Sequence, residues 1–137
     1  MSAAITIGII GVGRWGPNLL RNFASMDGVS VKTVCDTDSE RLRLAQKRFP
    51  ALRTTQNADA IFNDHTVDCV VICTPVSTHF HLAEQAIVNG KHVFVEKPLA
   101  ASATECRRLM DHADRMHTIL FVGHTFKYNA GIRAAKH

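Results

Sequence analysis

The sequence predicts an α/β fold: a doubly wound parallel sheet of about six strands with helices on both faces. Short apolar runs alternate with helical stretches along the whole chain, the arrangement that βαβ units require. One run, Asp68 to Cys73, shows no polar/apolar alternation, which suits a strand buried on both faces. The chain has 137 residues, 46% of them hydrophobic, enough for one domain with a filled core and too apolar for disorder.

The elements follow in order. Ala4 to Ile10 reads as the first strand, and a glycine turn leads into a helix from about Arg14 to Met26 with Leu19, Leu20 and Phe23 at helical spacing. Asp27-Gly28 closes it, and Val29 to Cys35 is the second strand. Thr37-x-x-Glu40 has the form of a capping box, opening a helix through Phe49 that Pro50 stops. A short strand at Leu52 to Thr55, a brief helix at Asn57 to Phe62 and the strand Asp68 to Cys73 come next. Ser77 to Asn89 forms a helix with Gly90 as its C-cap, followed by a strand at His92 to Val95. A long helix from Ser102 to Met116 and a strand from Thr118 to Val122 complete the count. Residues 1–124 are expected to form one domain, with 125–137 beginning a connection to a further one.

Charge and composition exclude several classes. Sixteen Lys and Arg against 12 Asp and Glu give a net charge of +4. The basic cluster Arg41, Arg43, Lys47 and Arg48 has no interleaved aromatics and no nucleic-acid-binding motif beside it, so it reads as a solvated helix face and no nucleic-acid partner is expected. No apolar run approaches the ~20 residues that cross a bilayer, and the N-terminus lacks a basic leader, so a cytoplasmic protein with no membrane partner is expected. Cys35, Cys69, Cys73 and Cys106 contain no C-x-x-C pair and are expected to be reduced, structural thiols. No Cys/His spacing matches a zinc site, and no metal is expected.

Gly11-Val12-Gly13-Arg14-Trp15-Gly16 is a G-x-G-x-x-G turn between a strand and a helix, the context of a dinucleotide fingerprint. Gly11 permits the tight turn, Gly13 lets backbone approach a pyrophosphate, and Gly16 lets helix pack on strand, while the helix N-terminus offers free N–H groups to the anion. Arg14 and Trp15 occupy the open positions of this turn and join the expected cofactor-binding set. Asp36 stands 20 residues beyond Gly16 at the end of the second strand, where a carboxylate accepts from both adenosine ribose hydroxyls and repels a 2′-phosphate. NAD is therefore expected over NADP. Arg41 is near enough to stack on adenine or to neutralise a phosphate, and Asp36 could instead serve as a helix-capping aspartate. The fold expected from this fingerprint is of the Rossmann type.

Three more segments, Val71-Ile72-Cys73-Thr74-Pro75 with His79 four positions on, Glu96-Lys97-Pro98 and Gly123-His124, make the chain resemble the N-terminal domain of the Gfo/Idh/MocA oxidoreductases from about Ile5 to Tyr128. The resemblance implies the cofactor-binding domain of an enzyme that moves a hydride between nicotinamide and a sugar, cyclitol or nucleotide-sugar carbon. It implies that Thr74 and Pro75 border the cofactor's ribose and pyrophosphate. It places His79 near the nicotinamide half, unless that residue is only a polar group in the first helical turn. Glu96 would hold the nicotinamide ribose or orient Lys97. Lys97 would serve as the catalytic residue, stabilising charge or relaying a proton at the substrate oxygen; an exposed Glu96–Lys97 ion pair is the plain alternative. The stretch Lys127-Tyr128-Asn129-Ala130 departs from relatives that carry arginine, an aromatic and proline there. The resemblance also implies a second domain supplying the substrate pocket and a homo-oligomeric whole protein, without which this chain is expected to be inactive. The reading from another class is a stand-alone dinucleotide-binding or sensing module.

Overall fold

The computed structural model describes residues 3–124. The expectations for 125–137, including the connection and the Lys127-Tyr128 departure, lie outside the described residues. Six parallel strands, β1 (Ile5–Ile10), β2 (Val29–Cys35), β3 (Arg53–Thr55), β4 (Cys69–Ile72), β5 (His92–Glu96) and β6 (Leu120–Gly123), form one sheet. Their order is β3-β2-β1-β4-β5-β6, so the chain reverses direction across the sheet between β1 and β4. In open α/β sheets that switch point leaves a crevice beyond the carboxyl ends of the strands.

The helices are α1 (Gly16–Ala24), α2 (Ser39–Arg48), α3 (Asp59–Phe62), α4 (Val76–Val88) and α5 (Ala103–Met116). Alternate strand residues feed two cores, one on each face. Ile7, Ile9 and Val34 pack with Leu20 of α1 and Leu42 of α2. Ile10, Ile72 and Val95 pack with Ile61, Phe80, Ile87 and Leu109 from α3, α4 and α5. Because both faces are covered, the central strands have no polar side to show in sequence.

Three local expectations are corrected. The N-cap of α2 is Asp38, not Thr37: its extended backbone lets the carboxylate accept from Glu40 N and Arg41 N at 2.9 and 3.3 Å. The first helix begins at Gly16 instead of Arg14, with Pro17 filling a first-turn position where no N–H is needed. The last strand starts at Leu120 instead of Thr118, since α5 ends in His117 held in the left-handed region at φ 53° without a glycine.

At the amino ends of the strands, Lys91 is buried immediately before β5. Its ammonium donates to the carbonyls of Asp64 and Val67 at 2.7 and 2.9 Å, tying the approach to β4 to the entry of β5. Asp64 is in turn paired with Lys32 of β2, and that hydrogen bond, with those from Thr66, holds its carboxyl well below the usual carboxylate range. Lys91→Ala would leave two carbonyls without their donor in a buried setting. It is expected to lower unfolding free energy by about 2–4 kcal/mol, read as a shift in urea midpoint, while leaving ligand binding at the opposite end of the sheet unchanged.

Candidate cofactor-binding site

A cleft of about 740 Å³ opens at the carboxyl ends of the strands, within the size range of small-molecule sites. Each strand from β1 to β5 except β3 delivers a turn to it, and β3 is followed by Gln56, which also borders it. Gly11, Gly13, Arg14 and Trp15 come from the turn after β1, Asp36 and Arg41 from the segment after β2, Thr74 and Pro75 from the turn after β4, and Glu96 and Lys97 from the end of β5. Of the residues expected to form the site, these ten line one wall or another of a single crevice. Gly16 and His79 are set behind it.

The glycine turn can be read atom by atom. Gly11 has φ +95°, and a Cβ there would lie 2.5 Å from the Cys73 carbonyl oxygen, so the turn is closed against the end of β4. A Cβ on Gly16 would lie 2.2 Å from the Gly11 carbonyl oxygen, which is why the helix can start so close to the strand. Gly13 is different. A Cβ there would meet only the guanidinium end of Arg41, at 3.2 Å, and no rigid neighbour. Packing accounts for Gly11 and Gly16 but not for Gly13, whose bare backbone faces the cleft.

Asp36 is 7% exposed. One carboxylate oxygen accepts from Val12 N and the other from Asp38 N, both at 2.9 Å, and these bonds lock the side chain at the cleft rim. It caps no helix; Asp38 does that. The Arg41 guanidinium stands 3.8 Å from Asp36 and 3.6 Å from Asp38, half exposed, flanking the carboxylate on the cleft side. Across the crevice, the hydroxyls of Thr74 and Thr78 are 2.6 Å apart and Thr78 also donates to the Pro75 carbonyl, fixing the turn that starts α4. The Lys97–Pro98 peptide is cis. Among the described residues neither Glu96 nor Lys97 bonds to another side chain, so the plain ion-pair alternative is not what the structure holds.

His79 does not reach the cleft surface. Its ring is 2% exposed, with Nδ1 2.8 Å from the Pro98 carbonyl oxygen and Nε2 2.7 Å from that of Thr74. The side chain expected near the nicotinamide half sits one layer behind the cleft surface, against the backbone of two cleft turns.

Sequence reasoning missed Cys35, Cys73, Thr37, Gln56, Ala58, Thr78 and Leu82 as cleft residues. For the two cysteines a signal existed, since each is adjacent to a residue already assigned to the site. Both thiols are free. Burial pushes Cys35 up to about 11, with the Asp36 charge adding to it, and burial followed by the Glu96 charge pushes Cys73 up to about 11. Ordinary thiols ionise near 9, so at pH 8 alkylation of Cys35 and Cys73 in the folded chain, read by peptide mass mapping, is expected to run roughly a hundredfold slower than in urea. The neutral thiol is the form the fold prefers. Stability is therefore fully present below pH about 9 and falls as pH rises toward about 11, which alkaline unfolding followed by circular dichroism would read.

Among the described residues no group of three or more His, Cys, Asp or Glu is placed to hold a metal ion, and no helix is long and apolar enough to cross a membrane.

Comparison with known proteins agrees with this geometry. Residues 5–124 match the GFO_IDH_MocA family, described as an oxidoreductase family with an NAD-binding Rossmann fold. A glycosyl hydrolase family 109 protein of Streptomyces filamentosus is 36% identical over 124 residues, covering 82% of this chain and 25% of that protein. Among solved structures, GenD2 from gentamicin A biosynthesis, in complex with NAD, superposes with a TM-score of 0.92 at 31% identity, over 99% of this chain and 39% of that one. Myo-inositol 2-dehydrogenase of Lactobacillus plantarum superposes with a TM-score of 0.89 at 26% identity, over 97% of this chain and 40% of that one. The chain thus spans between a quarter and two fifths of these relatives' length. It belongs to the GFO_IDH_MocA oxidoreductase family and carries that family's NAD-binding Rossmann fold.

Proposed function

We propose that residues 1–124 are the NAD-binding part of a dehydrogenase acting on a sugar, cyclitol or nucleotide-sugar carbon, and that residues 125–137 lead toward a separate substrate-binding part. The observation that carries this reading is Gly13. Its lack of a side chain serves no packing contact, yet it leaves backbone bare in the middle of the crevice, as close approach of a pyrophosphate needs. The four free cysteines fit a reducing cytoplasm.

The cleft suits a dinucleotide in its parts. The α1 N-terminus and the Gly11–Gly13 backbone would hold the pyrophosphate. Asp36, already locked by two backbone N–H groups, keeps lone pairs for the adenosine ribose hydroxyls, and its charge opposes a 2′-phosphate. Arg41 stands beside it as the residue that would soften this discrimination. Thr74 and Pro75 would border the ribose and pyrophosphate, and Glu96 the nicotinamide ribose.

When bound, nicotinamide accepts or returns a hydride at its C4. Lys97 would supply the complementary chemistry: its ammonium, unpaired among the described residues, would donate a hydrogen bond to the substrate oxygen and hold the proton that the oxygen loses or gains. The curated relatives called glycosyl hydrolases favour a second reading, in which the substrate is a glycoside.

Two experiments test the proposal. Calorimetric titration is expected to show NADH binding at least about tenfold tighter than NADPH, with Asp36→Ala losing about tenfold toward NADH. Absence of binding to either would refute the cofactor assignment, and preference for NADPH would mean that Arg41 outweighs Asp36. In an active protein containing this chain, Lys97→Ala is expected to lower kcat by about 10²–10⁴ with cofactor affinity kept within a few fold; an unchanged kcat would remove Lys97 from the chemistry.

A further inference from the structure

Two of the turns that line the cleft, the one after β4 and the one after β5, are far apart in sequence and are joined behind the cleft by a single side chain. His79, in the first turn of α4, places Nε2 2.7 Å from the Thr74 carbonyl oxygen and Nδ1 2.8 Å from the Pro98 carbonyl oxygen. The ring is 2% exposed, so water does not substitute for either partner. A carbonyl oxygen only accepts hydrogen bonds. A neutral imidazole has one N–H and one bare nitrogen, so it can donate to one of these carbonyls and must turn a lone pair toward the other. Both contacts are hydrogen bonds only when both ring nitrogens carry protons, and bonds from a charged donor are the stronger kind.

We propose that His79 is a positioning residue that acts through Thr74 and Pro98. As a doubly protonated ring it ties the turn bearing Thr74 and Pro75 to the turn bearing Glu96 and Lys97, and so sets the width of the crevice between them. One bond reaches its own β4–α4 turn, and the other crosses to a residue 19 positions away. Thr74 lines the cleft, and Pro98 directly follows Lys97, which also lines it. A displacement of either carbonyl therefore moves a group proposed to touch the ligand. The side chain itself touches no ligand.

This inference rests on the cofactor reading above, and its test separates the two. The first measurement is the ¹⁵N NMR signature of the His79 ring in the unsubstituted chain, at the pH of the binding experiment. Two protonated nitrogens are expected, with both signals shifting when NADH is added. One protonated and one bare nitrogen would overturn the brace, whether or not NADH binds. The second is NADH titration of His79→Gln, whose single amide cannot span two carbonyls. Affinity is expected to fall about tenfold while circular dichroism stays unchanged, because the two turns lose their common anchor. A folded variant that binds like the unsubstituted chain would overturn the positioning role. Should the substitution unfold the chain, the ring signals and their response to NADH decide the matter. If the unsubstituted chain binds no NADH while both nitrogens are protonated, the cofactor reading fails and the brace stands as a link between the two turns.

Discussion

Everything at the carboxyl end of the sheet depends on how closely the β1–α1 turn approaches the end of β4. Gly11 makes that approach in a backbone conformation that L side chains rarely adopt, with the Cys73 carbonyl where a Cβ would be. Gly11 N donates to the Cys35 carbonyl and Cys73 N to the Ile10 carbonyl, so β2, β1 and β4 stay paired to their last residues. A larger residue at position 11 would push the turn outward, and Asp36, Thr74 and the start of α1 could no longer face a common space. The crevice follows from the strand order, but its shape follows from this contact.

The fold separates two kinds of polar burial. At the amino ends of the strands, Lys91 has its donors directed at main-chain carbonyls, which makes it a structural cation. At the carboxyl ends, Asp36 is held by main-chain N–H groups while still bordering open space, which leaves a fixed charge at the cleft rim. The same chemistry of a charge satisfied by backbone serves cohesion at one end and, in the function proposed above, recognition at the other. Which it serves is decided by whether a cleft lies beyond the last hydrogen bond.

Much of this was legible in the sequence, for physical reasons that can be named. The buried strands advertise themselves as apolar runs, so the sheet lies where they pointed, and the glycine turn carries its context with it: ten of the twelve expected site residues share one crevice. Asp38 was hidden by Thr37, because two adjacent residues both able to cap differ only in backbone conformation. The end of α5 was blurred because a histidine took the left-handed position usually given to glycine. His79 was recognisable as special but not for its role, since its partners are carbonyl groups, which every residue possesses and no sequence displays.

The chain contains one tryptophan, and it stands at the mouth of the cleft, 62% exposed, where the crevice meets a second, shallower groove beside Phe94 and Phe121. An indole so placed emits light from the edge of the proposed ligand site with no competing indole elsewhere in the chain. Its emission falls where reduced nicotinamide absorbs, so occupancy of the cleft would be written directly into the protein's own fluorescence. With the proposed ligand in the cleft, Trp15 would make the chain a label-free optical reporter of its binding.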